Sequence, residues 1–320
     1  MTHATVAVIG HVDHGKTILV KALTGVDTDT LQEEKQRGLS ITLGFAHLAH
    51  GSGQIHLIDT PGHADFIRMT ASGISGADAV LLVISAMDGV QPQTLEHIRL
   101  AQYFGIRNVT VALTKSDLTQ ARNVDALQAE IESILDAHAF THVAIIACSS
   151  VTGAGLENVV AALSSAFEYK HQRPDLKGFF LPIDRVFSAP GAGTIVTGTL
   201  LGAGVTVGDD VVLEPQHLTA TIRGIQIAGA SQDQAEPGAR VALNLRGIDA
   251  GALTKGDVLC APGAFQTGLR FDVSLRPCSD VKHMEQVKVL LGTGHCAARL
   301  RLYPSKPDQS VYGQLEFKTP

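Results

Sequence analysis

The octapeptide Gly10-His-Val-Asp-His-Gly15-Lys16-Thr17 has the residue types and spacing to hold a polyphosphate. It fits G-x-x-x-x-G-K-[ST] and lies between an apolar run and a helical pattern, the context that gives the motif its meaning. Glycines let successive backbone N–H groups, here those of Asp13, His14 and Gly15, turn inward around phosphate oxygens. The helix opening at Lys16 adds about half a positive charge at its N-terminus. Lys16 is expected on the β- and γ-phosphates and the Thr17 hydroxyl on Mg²⁺.

A second group follows 42 positions after Thr17, at Asp59-Thr-Pro-Gly62. Alone this is an ordinary turn; behind a phosphate loop it reads as a γ-phosphate sensor. Asp59 can hold Mg²⁺ through a water, and the Gly62 N–H is open to the γ-phosphate because glycine permits close backbone approach. His63, next in the chain, is expected to position the attacking water, since phosphoryl transfer needs placement and charge neutralisation more than covalent chemistry. It is the one catalytic candidate. No arginine finger is evident, so intrinsic hydrolysis should be slow and depend on a partner.

The base is read further on. Asp117, in Thr114-Lys115-Ser116-Asp117, can accept two hydrogen bonds from guanine, a pair that adenine cannot offer, so GTP and GDP are expected over ATP. The Lys115 stem can lie over the base. Backbone N–H groups of Cys148, Ser149 and Ser150 can reach the guanine O6. His11 and His14 belong to the phosphate loop, and with no H-E-x-x-H present no zinc is expected.

These residues need a scaffold of strands and helices. Apolar runs at Thr5–Ile9, Ala79–Ile84, Val109–Leu113 and Val143–Ala147 read as buried strands, and Ala46–His50 with Ile55–Asp59 as a hairpin. Between them Lys16–Thr24, Thr94–Phe104, Val124–Ala137 and Leu156–Ala166 carry the helical period. The alternation predicts an α/β domain, a doubly wound and mostly parallel sheet with helices on both faces. After a polar linker, Glu168–Lys177, the helical period disappears. Short β-branched runs follow, Phe180–Val186, Thr194–Thr199, Asp210–Leu213, Thr219–Ile227 and Ala239–Leu245, punctuated by glycine and proline in the manner of a small antiparallel barrel. Further strands are expected at Leu269–Leu275, Gln286–Leu291, Ala297–Leu302 and Val311–Phe317. The expected domains are therefore 1–172, 173–262 and 263–320, the last short for an independent barrel.

Composition narrows the class. At 45% hydrophobic and 18% charged residues, the chain can build real cores. Its 25 Lys+Arg against 31 Asp+Glu argue against a polybasic nucleic-acid coat, though not against a local RNA-binding face. Four scattered cysteines without a C-x-x-C pair argue for a reducing compartment. No signal peptide or apolar run long enough to span a bilayer is read, so a cytoplasmic protein with no membrane partner is expected.

Taken together, Gly10–Thr17, Asp59–His63 and the pair Gly191–Gly198 and Val207-Gly-Asp209 resemble the elongation factor Tu group of translational GTPases. Within it the chain is similar to the selenocysteine-specific elongation factors (SelB type). Leu23–Asp29 and Glu33–Phe45 carry that likeness, with only 20 positions from Thr17 to Arg37. Elongation factor Tu proper has a much longer effector segment. The initiation-factor gamma subunit has a similarly short one, but with cysteines before the D-x-P-G turn and an Asn-Lys-x-Asp motif, and this chain has neither; Thr114 here resembles the SelB type.

The resemblance implies a GTPase that delivers selenocysteinyl-tRNA to the ribosome as a monomer, hydrolysis triggering release. The alternatives are a general or initiator aminoacyl-tRNA factor and a regulatory GTP- and RNA-binding paralogue with little turnover. It implies an effector hydroxyl on Mg²⁺ at Ser40, with Thr42 as competitor, and an aminoacyl pocket at Asp184, Arg185 and Arg240. Arginines there would favour a selenol anion over the serine hydroxyl. Family members run on to complete a third barrel and a winged-helix region that binds the messenger hairpin. The chain accordingly reads as a short form or fragment that handles GTP without reading the messenger, with an unpaired sheet edge.

Overall fold

A computed structural model describes residues 2–29, 34, 40–51, 53–118, 121–168, 176–189, 191, 193–275, 281–303 and 311–319. Part of the effector segment, including Arg37 and Gly38, most of the expected linker, and Cys278 lie outside the described residues.

The first sheet contains β1 (Thr2–Ile9), β2 (Gly44–His50), β3 (Gly53–Asp59), β4 (Ala79–Ser85), β5 (Asn108–Thr114) and β6 (His142–Ala147) in the order β2-β3-β1-β4-β5-β6. All neighbours are parallel except β2 and β3, the expected hairpin, whose register pairs His50 with Gly53. Burial on both faces explains the unbroken apolar runs of β1 and β4. Along β1, Ala4, Val6 and Val8 face one core with α1 (Lys16–Thr24). Ala7 and Ile9 face the other, with α2 (Ile67–Ser75), α3 (Pro92–Tyr103) and α4 (Ala121–Ala137). The last helices, α5 (Leu156–Leu163) and α6 (Ser165–Glu168), return to the first face. The order reverses between β3 and β4 on either side of β1, the switch point at which ligands bind in such sheets. The phosphate loop begins there.

Two elements depart from the sequence reading. Helix α2 was not expected, because Ser72, Gly73 and Ser75 dilute its period; it forms because Ala71 and Ile74 are buried against the sheet. The expected strand Phe180–Val186 breaks at Ile183-Asp184 into β7 (Phe180–Pro182) and β8 (Arg185–Ala189). The break lets Ile183 enter the barrel core while Asp184 pairs with Arg240.

The second unit adds β9 (Gly193–Thr199), β10 (Val205–Thr206), β11 (Asp210–Glu214), β12 (Leu218–Ile227), β13 (Ala230–Gln232), β14 (Gln234–Ala235), β15 (Arg240–Arg246) and β16 (Val258–Cys260). Its main order is β7-β16-β11-β12-β15-β9-β8, antiparallel throughout. A bridge between Phe180 and Leu201 brings the far ends together around a core that includes Leu181, Val196, Leu213, Ile225, Leu243 and Leu259. Strand β16 had no clear signal in sequence; three residues are too few to show a period.

The last unit contains β17 (Arg270–Leu275), β18 (Glu285–Leu291), β19 (Gly294–Leu302) and β20 (Val311–Phe317), an antiparallel sheet ordered β17-β20-β19-β18. Among the described residues no helix is long and apolar enough to cross a membrane.

The α/β unit and the barrel are joined by polar contacts. Thr5 Oγ1 donates to Gly238 O at 2.9 Å, and Arg185 Nη2 to Leu43 O at 2.9 Å.

Candidate nucleotide and aminoacyl sites

The phosphate loop owes its shape to its backbone. Gly10 has φ 140°, where a Cβ would collide with the Val83 carbonyl, so only glycine lets the loop leave β1 this close to β4. Its N–H donates to His97 Nδ1 at 3.0 Å. Gly15, left-handed at φ 85°, caps α1 and leaves the helix N-terminus open.

Inside this cradle Lys16 is buried and donates from Nζ to His11 O at 2.8 Å. Burial pushes its ammonium down to about 8, although Asp59, Asp13 and Asp29 pull the other way. Among the described residues no carboxylate forms an ion pair with this buried cation, a setting that suits an incoming anion. The Asp59-Thr-Pro-Gly62 turn is held against the loop by Thr60, which donates from both N (3.2 Å) and Oγ1 (2.7 Å) to Val8 O. A Cβ on Gly62 would stand 2.6 Å from Val12 N, so this approach also requires glycine.

Thr17 Oγ1 donates to Asp59 Oδ2 at 2.8 Å, Thr28 Oγ1 to the same oxygen at 2.7 Å, and Ser40 Oγ lies 3.0 Å from Thr17 Oγ1. Burial raises the Asp59 carboxyl against these hydrogen bonds. Its Oδ1 is buried without a hydrogen-bond partner. An orphaned carboxylate oxygen beside two hydroxyls fits a hydrated Mg²⁺. Thr42 turns elsewhere: its Oγ1 donates to Glu34 Oε1 at 3.0 Å.

Asp13, Gly15, Lys16, Thr17, Ser40, Gly62, His63 and Lys115 line one open cavity of about 690 Å³. His63 stands at its rim, 42% exposed, with Nδ1 accepting from Asp65 N at 3.2 Å. His14 is different: its ring is buried and burial pushes it down to about 4, so it serves the site through its backbone.

The residues expected to read the base follow β5 and β6. Thr114 Oγ1 donates to His14 O at 2.7 Å, fastening β5 to the phosphate loop. Lys115 approaches Asp88 Oδ2 at 3.5 Å. Asp117 sits exposed in the short turn Ser116–Leu118. Of the three expected backbone donors, two are spent. Cys148 N donates to Leu113 O at 2.8 Å and Ser149 N to Ala154 O at 2.9 Å, which corrects the reading of those two positions and leaves Ser150. Burial pushes the Cys148 thiol up to about 11.

The other candidates meet where the barrel faces β2. Asp184 and Arg240 form a bidentate pair, with Arg240 Nη2 at 2.9 Å from Asp184 Oδ1. Thr197 Oγ1 donates to Asp184 at 2.6 Å. Both Arg240, at 3.3 Å, and Arg185, at 4.6 Å, lie over the Phe45 ring. Burial and the neighbouring Arg240 lower Arg185, with Asp184 and Glu34 opposing. Phe45, Thr197 and Glu34 were not singled out from sequence. Each acquires its role only when the barrel or the effector segment packs against it, and an isolated Phe, Thr or Glu gives no signal of that.

A phosphate cradle at the switch point of a doubly wound sheet, backed by a metal-type carboxylate, defines a P-loop nucleotide-binding protein. The Elongation factor Tu GTP binding domain family matches residues 1–169. The selenocysteine-specific elongation factor of Desulfomicrobium baculatum is 37% identical over 97% of this chain and 50% of its own length. Elongation factor Tu 2 of Streptomyces avermitilis is 31% identical over 84% of this chain and 75% of its own. Among solved structures, a bacterial selenocysteine-specific elongation factor EF-Sec superposes with a TM-score of 0.91 at 32% identity, over 99% of this chain and 54% of that one. SelB of Methanococcus maripaludis with the GTP analogue GppNHp gives 0.82 at 25% identity, over 99% and 72%. The chain belongs to the elongation factor Tu family of GTP-binding proteins. It spans about half the length of the selenocysteine-specific relatives it matches.

Proposed function

We propose that this chain is a cytoplasmic GTPase that carries selenocysteinyl-tRNA to the ribosome, in three units divided near 172 and 262. The observation that carries the reading is the convergence of Arg185 and Arg240 on Phe45, in the strand that continues the effector segment. An aminoacyl group bound there touches both the barrel and the GTP-dependent segment.

The backbone of Asp13–Gly15 and the Lys16 ammonium hold the phosphates. Asp117 accepts from guanine, Lys115 covers the base, and the Ser150 N–H faces O6. Thr17, Ser40 and Asp59 would hold Mg²⁺, which would neutralise charge on the phosphate oxygens. Gly62 N–H contacts the γ-phosphate. With Nδ1 of His63 accepting from Asp65, Nε2 is the nitrogen that orients the water. Seating the effector segment and the Gly62 turn creates the tRNA site, and hydrolysis releases both.

Selectivity follows from charge. Arg240 is neutralised by Asp184, so Arg185 carries the excess positive charge that favours a selenol anion. Serine's neutral hydroxyl can accept a hydrogen bond from the guanidinium but carries no charge to match it, so it gains less there than a selenol anion. Filter binding of selenocysteinyl- and seryl-tRNA to the GTP-loaded chain tests the reading. A strong preference for the first is expected. Equal affinity would sink the selenocysteine assignment and favour a general aminoacyl-tRNA factor.

A further inference from the structure

Residues 40–45 form a strap between the two sites. At one end Ser40 Oγ meets Thr17 Oγ1 at 3.0 Å and donates to Asp29 Oδ1 at 2.8 Å. In the middle a single oxygen, Glu34 Oε1, accepts from Ile41 N, Thr42 N and Thr42 Oγ1, each at 3.0 Å. At the far end Leu43 O accepts from Arg185 Nη2 at 2.9 Å, and the Phe45 ring lies under the same guanidinium. Only Ile41 and Thr42 therefore separate a residue whose hydroxyl faces the nucleotide side from one whose carbonyl holds an arginine of the barrel.

The two arginines are positioned differently. Arg240 donates its hydrogen bonds to Asp184 and Thr197, both in the barrel, so those bonds do not depend on the strap, although its guanidinium also lies over Phe45. Arg185 donates its hydrogen bond to the strap, at Leu43 O. It also sits in β8, just past the break at Ile183-Asp184, and buries part of its guanidinium on β2. If residues 40–43 leave Thr17, Leu43 O moves with them and Arg185 loses the acceptor that aims it, while Phe45 stays paired with Ile58 in the sheet.

We propose that Arg185 is the positioning residue that couples the two sites: it faces the aminoacyl group correctly only while residues 40–43 are seated on the phosphate loop. This rests on the aminoacyl reading given above. Coupling of this kind is reciprocal. A γ-phosphate and Mg²⁺ that hold Ser40 favour the arrangement that aims Arg185, and the Arg185–Leu43 bond in turn favours the seated strap, hence GTP over GDP.

Reciprocity supplies a test that needs no tRNA. Arg185→Lys keeps the charge but loses the planar fork that spans Leu43 O and the Phe45 face. The affinities of the 320-residue chain for a non-hydrolysable GTP analogue and for GDP would be measured by fluorescence titration. The expected result is an analogue affinity weakened about tenfold, the scale of one charge-assisted hydrogen bond, with GDP affinity unchanged. Unchanged GDP affinity also shows that the variant folds. Equal shifts for both nucleotides, or none, overturn the proposal. Should Arg185→Lys not fold, Phe45→Leu keeps the bulk and removes the ring, and the same selective loss is expected. In the tRNA assay, wild-type affinity for selenocysteinyl-tRNA should differ between the two nucleotide states, and Arg185→Lys should narrow that difference. A difference left intact counts against coupling. If the wild type does not distinguish selenocysteinyl- from seryl-tRNA, the functional reading fails while the nucleotide ratio still decides the coupling.

Discussion

Ser40 Oγ lies 3.0 Å from Thr17 Oγ1, across 23 positions of chain. The contact brings the effector segment to the first turn of α1. It also separates two hydroxyls that sequence left in competition, because Thr42 Oγ1 is taken by Glu34. Serine lacks the methyl that restricts χ1 in threonine; Asp29 Oδ1, accepting from Ser40 at 2.8 Å, restrains the hydroxyl instead.

The first prediction follows from that separation. Ser40→Ala should weaken Mg²⁺-dependent binding of a GTP analogue about tenfold, the loss of one hydroxyl ligand or hydrogen bond near a charge. Thr42→Ala should cost less, since Glu34 keeps the two backbone donors of Ile41 and Thr42. A magnesium titration of analogue affinity separates the two. A larger effect at Thr42 would reverse the assignment.

Thr114 offers a second test. Its hydroxyl is buried and spans two carbonyls, His14 O at 2.7 Å and Ile84 O at 3.3 Å. Thr114→Val keeps the shape and removes the tie between β5 and the phosphate loop. GTP and GDP should both bind about tenfold more weakly, with discrimination against ATP intact because Asp117 is untouched. Competition titrations with the three nucleotides measure this. Loss of guanine selectivity would place Thr114 on the base instead.

Much of the α/β unit was legible because its signals are local. The phosphate loop is eight consecutive residues, and β1 and β4 are continuous apolar runs. The proposed aminoacyl site was legible only through resemblance. Arg185 and Arg240 are 55 positions apart, and Phe45 reaches them only because β2 packs against the barrel. The three-residue β16 and the diluted period of α2 fell below what periodicity can register. Cys148 and Ser149 show the opposite failure: a motif position can be right while its N–H is already spent on the sheet or the turn.

Acid should weaken the joint between the α/β unit and the barrel. His56 is buried on β3, its Nε2 is 3.2 Å from His3 Nδ1, and the groups acting on it are His3, His47 and Arg240. Burial, helped by those neighbours, lowers His56 to about 3. A histidine depressed in the folded state contributes stability above its unfolded value near 6.5, and that stability is lost as pH falls from there toward 3. Between pH 7 and 5 the loss from His56 is about 2 kcal/mol. Thermal unfolding at the two pH values should show a fall that His56→Gln reduces. An identical pH dependence in wild type and variant would remove His56 as its source.

The Asp184–Arg240 pair yields the sharpest stability prediction. Both side chains are largely buried, at 6% and 12% exposure. Removing one partner from such a pair leaves a charge without compensation, at a cost of about 3–5 kcal/mol. Asp184→Asn should therefore destabilise the barrel strongly, although Thr197 Oγ1 retains an acceptor in the amide. Arg240 would also keep the Phe45 face at 3.3 Å, so the guanidinium should stay in place while gaining an unneutralised charge. Two measurements then move in opposite directions. The denaturation midpoint falls, and affinity for an anionic aminoacyl group at low temperature, where the variant remains folded, rises relative to the neutral seryl group. If stability falls but the selenocysteinyl-to-seryl affinity ratio does not rise, Asp184 serves the barrel alone and the pocket's charge is set by Arg185.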